Sequence, residues 1–243
     1  MTERDPSMQS AAKETEVAVW DIGVRVFHWS LVMLMIAAVV TVKIGGNAMV
    51  YHSYCGYAIL ALLLFRILWG FVGGTYARFA NFITGPGKVI AYMKTMFDRG
   101  HCTGANHESA IGHNPMGALS VVAMLAALLF QATSGLFVND DILFEGPLSS
   151  WIGKELSDKI TGWHKLNVKI IIALVLLHLG AIFFYLFYKK ENLIKPMLTG
   201  IKNLTGTAPE SRTGSASLAF VLLAVCAGAV YWLVHYGVKL LAK

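Results

Sequence analysis

Apolar residues gather into five runs along this chain, Val26 to Ile44, Tyr51 to Val72, Met116 to Val138, His164 to Tyr188 and Leu218 to Leu241. At about 1.5 Å per residue, a helix needs roughly 20 mainly apolar residues to cross a bilayer, and each run is long enough. The pattern therefore predicts an all-α integral membrane bundle with five spanning helices. Gly45-Gly46-Asn47 marks a tight turn that makes the first two helices antiparallel neighbours. The second gap, Gly73 to Pro115, contains Gly85-Pro86-Gly87 and then an amphipathic piece, Val89 to Phe97, suited to lie on a membrane surface. The third gap, Asn139 to Gly162, is acidic: Asp140, Asp141, Glu145, Glu155 and Asp158 stand against Lys154 and Lys159.

Composition agrees with the pattern. Hydrophobic residues make up 56% and charged residues 14% of the chain, whereas soluble domains carry about 25% charged residues. The formal charge of +6 raises the question of nucleic acid, but the basic residues lie between apolar runs and form no basic stripe, so no nucleic acid is expected as a partner. They read instead as topology signals. Twelve Lys and Arg residues fall in the amino-terminal segment and the second and fourth gaps, against five, Lys43, Lys154, Lys159, Lys239 and Lys243, on the other side. Basic residues stay inside, so the amino terminus is expected in the cytoplasm and the carboxyl terminus on the opposite side of the membrane. The polar first nineteen residues do not read as a removable signal peptide. Cys55, Cys102 and Cys226 make no disulfide framework, and the absence of Cys-x-x-Cys-His excludes covalent c-type haem attachment.

The fourth run carries the chemistry. His164 and His178 are fourteen residues apart, so they leave the same helix face about 21 Å apart along the axis. Imidazoles at that depth need partners on other helices. His28 lies sixteen residues before Ile44, and His178 sixteen after Gly162, which places both about 24 Å below the outer surface. His52 and His164 share the outer level, at the starts of their runs. Two cross-bundle pairs result, and facing histidines at two heights of a helical core can hold two b-type haems through neutral imidazoles. Gly56, Gly180 and the small residues of the third run leave room for a flat macrocycle. Arg25 and Arg66 stand at the level of the inner pair and suit its haem propionates, while Lys165 and Tyr51 stand at the outer level.

The remaining histidines have plainer readings. His101, Cys102 and His107 match no zinc spacing. His113 heads the third helix, with Asn114 as cap and Pro115 in the first turn, and His235 is interfacial. Trp20, Trp29, Trp69, Trp151, Trp163 and Trp232 fall near the expected membrane boundaries and read as an aromatic belt.

Several motifs occur in a telling order: Val-Arg-Val-Phe-His28-Trp, Arg66-Ile-Leu-Trp-Gly-Phe-Val-Gly, Gly85-Pro-Gly-Lys-Val-Ile-Ala-Tyr92, Gly112-His-Asn-Pro-Met-Gly117, then His164 and His178. In these the chain resembles the bacterial cytochrome b561 and nickel-iron hydrogenase cytochrome b subunit family, from about Trp20 to Lys202. The resemblance implies a di-haem cytochrome with two non-covalent haem b groups, exchanging electrons between a quinone pool and a periplasmic c-type cytochrome or hydrogenase-like protein. It places the ligands on His28, His52, His164 and His178. The domains expected are a polar segment at 1–19, a four-helix cytochrome domain at 20–202, a linker at 203–217 and an added membrane helix at 218–243, for which the resemblance supplies no role. Two rival readings differ in what they require. A proton or ion transporter would bind no haem and needs a titratable chain through the midplane, which the runs do not offer, and a membrane anchor for a larger redox complex would tolerate loss of the four histidines.

Overall fold

The computed structural model describes residues 14–95, 111–141, 144–205 and 210–237. His101, Cys102 and His107 lie outside the described residues. In chain order the elements are β1 (Glu14–Ala18), α1 (Ile22–Ile44), α2 (Met49–Val72), α3 (Phe79–Phe82), α4 (Pro86–Thr95), α5 (Pro115–Gly135), α6 (Ser149–Phe187), α7 (Ile194–Thr199), β2 (Ile201–Thr205) and α8 (Ala216–Trp232). Five helical segments are long and apolar enough to cross a membrane: Ile22–Ile44, Gly46–Val72, Pro115–Gly135, Ser149–Phe187 and Ala216–Gly237. The turn between α1 and α2 uses Gly45 and Gly46 at φ 69° and 54°, a left-handed conformation that glycine adopts without steric cost.

Helix α2 is the centre of the bundle. It packs on α1, α5 and α8, and its Leu63 and Trp69 are wholly buried. Helix α5 packs in turn on α6, but α6 has no extensive backbone contact with α1 or α2. A seam therefore runs between α6 and the α1–α2 pair. The added helix α8 lies on α2 and α1, burying Ala219, Cys226 and Val230.

One carboxylate ties the ends of α1 and α2 together. Asp21 caps α1 by accepting the Val24 amide at 2.9 Å. It also accepts the Trp69 indole N–H at 3.0 Å and the Gly74 amide at 3.0 Å. Gly74 and Gly214 approach so closely that a Cβ on either would stand 2.8 or 2.7 Å from the Asp21 carboxylate. Trp69 thus departs from the expected aromatic belt: its indole fills the core, because Asp21 offers a buried acceptor for its N–H.

Two further features differ from the sequence expectation. The amino-terminal segment and the start of the segment before α8 form an antiparallel clasp, β1 with β2, pairing Glu14 with Thr205 through Ala18 with Ile201. The acidic third gap is largely helical, since α6 begins at Ser149 and is interrupted at Gly153, φ 71°. Pairs Lys154–Asp158 and Glu155–Lys159, four residues apart, favour that helix. Ser157 donates to the Phe137 carbonyl at 2.6 Å and Thr161 to that of Asn139 at 3.3 Å, docking the extension on the preceding loop.

Candidate functional site

His28 on α1 and His178 on α6 face each other across the seam, with ring centroids 6.5 Å apart and planes inclined at 53°. Two metal–nitrogen bonds of about 2 Å, plus about 1 Å from each nitrogen to its ring centre, span roughly 6 Å, so one iron fits between these rings. The Nδ1 atom of His28 is buried without a hydrogen-bond partner. His52 on α2 and His164 on α6 form the second couple, and each is an electrostatic neighbour of the other. Both couples bridge helices whose backbones stay apart. A Cβ built on Gly56 or Gly180 would meet nothing within 4 Å, which leaves open space on α2 and α6 near these rings.

The second couple is held by oxygen and nitrogen partners. His52 Nδ1 lies 2.9 Å from the Ala38 carbonyl, which can only accept, so this nitrogen carries the proton. His164 lies in a polar network inside α5 and α6, with Ser134 Oγ 3.0 Å from Nδ1 and Gln131 Nε2 2.8 Å from Nε2. Asn167, one turn further on, donates to Gln131 Oε1 at 2.8 Å and to the Ala127 carbonyl at 2.9 Å. Gly135 makes room for the ring, since a Cβ there would stand 3.2 Å from His164 Cε1. Sequence reasoning missed Gln131, Ser134 and Asn167, although polar residues inside apolar runs are a usable signal.

The cations divide between the levels. Arg66 is buried, 3% exposed, with its guanidinium over the Phe79 ring at 5.1 Å and Nη1 lacking any hydrogen-bond partner. Arg25 likewise has a buried, unpartnered Nε. Asp21 is the carboxylate neighbour of Arg66, and the unpartnered nitrogens leave room for a further anion. Lys165 is exposed beside His164, and Tyr51 is exposed against Tyr54. His113 packs against Trp20 and Phe82 with Nδ1 buried and unpartnered. Burial first, and then the neighbouring Arg66 charge, lower its pKa to about 3. Asn114 caps α5 as expected, accepting the Gly117 amide at 2.7 Å, while its Nδ2 donates to Tyr185, which also bonds Tyr92. Among the described residues no group of three or more His, Cys, Asp or Glu side chains is arranged to hold a metal ion.

The family described as prokaryotic cytochrome b561 matches residues 19–200, which include all four of these histidines. The chain belongs to that family. As a b561 family member it is a multi-pass bacterial membrane protein and a b-type cytochrome that transfers electrons. It is 26% identical over 189 residues to the "Probable Ni/Fe-hydrogenase 1 B-type cytochrome subunit" of Escherichia coli strain K12, covering 66% of this chain and 79% of that one. It is 22% identical over 246 residues to the "Probable Ni/Fe-hydrogenase B-type cytochrome subunit" of Azotobacter chroococcum mcd 1, covering 86% and 97%. No solved structure gives a significant match.

Proposed function

We propose that this b561 family protein holds two non-covalent haem b groups, one between His28 and His178 and one between His52 and His164. It would pass electrons across the bacterial inner membrane between a quinone pool and a redox partner on the periplasmic side. The observation that carries this reading is the 6.5 Å separation of the His28 and His178 rings across a seam where α1 and α6 have no extensive backbone contact. Haem bound there would supply one-electron chemistry between ferric and ferrous iron, and His28 and His178 are the residues that would hold it.

The chain's own residues then have defined tasks. The four imidazoles would hold the group through ring nitrogens that keep a lone pair. Arg66 and Arg25, with buried unpartnered nitrogens, supply charge for propionates at the His28–His178 level, and Lys165 does so at the other. An open cleft beside Arg25, lined by Trp20, Asp21, Thr199 and Gly200 among others, is the position we assign to the quinone at this end of the bundle. The excess of Lys and Arg around this end supports placing it in the cytoplasm. Both relatives are named as hydrogenase cytochrome subunits, which favours a hydrogenase-like partner over a soluble c-type cytochrome. The acidic face of Asp140, Asp141, Glu145 and Glu155 gives such a partner a charged surface to meet. The test is rapid reduction of the purified chain in vesicles by a quinol analogue, followed by haem absorbance. Reduction that proceeds equally well in the double variant His28→Ala, His178→Ala would overturn this assignment.

A further inference from the structure

The polar network around His164 has one consistent assignment of protons. The Ala127 carbonyl can only accept, so the atom of Asn167 facing it at 2.9 Å is the amide nitrogen. That same nitrogen faces Gln131 at 2.8 Å, so the Gln131 atom there is Oε1. The Gln131 nitrogen is thereby turned toward His164 Nε2, 2.8 Å away, and its N–H needs a lone pair on that ring atom. On the other side of the ring, the Ser134 hydroxyl lies 3.1 Å from the Gln131 main-chain carbonyl and can give that oxygen its one proton. Its oxygen is left to accept from His164 Nδ1 at 3.0 Å. With the lone pair on Nε2, the neutral ring carries its proton on Nδ1, and the Ser134 oxygen is the group placed to accept it.

The geometry points to Ser134, with Gln131 held by Asn167, as the positioning residues of His164: they fix its Nδ1–H tautomer and keep the lone pair on Nε2, the nitrogen that would ligate iron in exchange for the Gln131 N–H. This rests on the haem reading above. It also explains two polar side chains, Ser134 and Asn167, buried in membrane helices at 6% exposure each, where such groups are costly unless bonded. Ligation through Nε2 would replace the Gln131 N–H at that atom, while the Ser134 contact at Nδ1 would be kept. A hydrogen bond from Nδ1–H to oxygen makes the imidazole a more basic ligand. A more basic ligand favours ferric over ferrous iron, so Ser134 lowers the potential of the haem at this level.

The test is a potentiometric titration of the purified holoprotein, wild type against Ser134→Ala and Ser134→Thr, with haem content measured on each. His28→Ala identifies which potential belongs to the His52–His164 level, because it removes the other haem. In Ser134→Ala the potential of that level is expected to shift upward while the other stays fixed, and Ser134→Thr, which keeps the hydroxyl, restores the wild-type value. Loss of one haem from the alanine variant with its retention in the threonine variant supports the same assignment. Two haems at unchanged potentials in Ser134→Ala, equal shifts of both, or loss of haem from both variants would overturn it. A wild-type chain that binds no haem removes the haem reading itself, a different result from unchanged potentials.

Discussion

Asp21 accepts the Trp69 indole N–H at 3.0 Å, forty-eight residues along the chain, while it caps α1 through the Val24 amide. The start of α1 and the end of α2 are thus locked at one point. The motifs bearing His28 and Arg66 flank that lock, Asp21 being seven residues before His28 and Trp69 three after Arg66. Replacing Asp21 by Ala removes the cap, worth about 1 kcal/mol, and leaves a buried indole N–H unsatisfied at a further cost of about 1–3 kcal/mol. Thermal unfolding in detergent should show this loss, and Asp21→Asn should recover part of it. A melting temperature unchanged in Asp21→Ala would contradict this role.

Arg66 is expected to act on one haem level only. Removing its charge in Arg66→Met should lower the potential of the haem between His28 and His178, since a nearby cation favours the reduced iron. Two unit charges about 10 Å apart at an effective dielectric constant near 20 interact by on the order of 1–2 kcal/mol, which sets the scale of the expected shift. Titration of the two potentials checks this, and a shift at the His52–His164 level instead would contradict the placement.

His113 makes stability depend on pH. Its pKa is held at about 3 in the folded protein, below the ordinary 6.5, so between these values the unfolded chain binds a proton that the folded chain does not. Stability contributed by neutral His113 is complete above pH 6.5 and is lost as pH falls toward 3, by up to a few kcal/mol. Unfolding followed across this window should show the loss, and His113→Gln should flatten it.

Much of this arrangement is legible in the sequence, for physical reasons. Membrane helices are long and apolar, so α1, α2, α5, the inner part of α6 and α8 stand out, and the helical repeat relates His164 to His178 on one face. Less was legible where a segment's structure depends on what it meets. The pairing of Glu14–Ala18 with Ile201–Thr205 joins two short polar pieces far apart in sequence, and neither has the alternation of a half-buried strand. The outer part of α6 reads as a loop because of its acidic residues, yet Ser157 and Thr161 bury against Phe137 and Asn139. Trp69 looks interfacial until Asp21 is seen beside it. The roles of Gln131, Ser134 and Asn167 need the facing of α5 and α6, which no single run encodes.

Removing one ligand should separate the two levels. His178→Ala is expected to lose the haem shared with His28 and keep the one between His52 and His164, so haem per chain falls from about two to about one by the ligand count of the fold. Extraction of haem as its pyridine complex gives the ratio. Loss of both haems without unfolding, or of neither, would contradict the pairing.

The most direct measurement is haem quantification on the purified wild-type chain, together with its dithionite-reduced minus oxidised spectrum. The account predicts a b-type spectrum and about two haems per polypeptide, neither covalently attached, as four axial imidazoles require. A single haem, or none, in a chain that is folded and inserted in the membrane would contradict it.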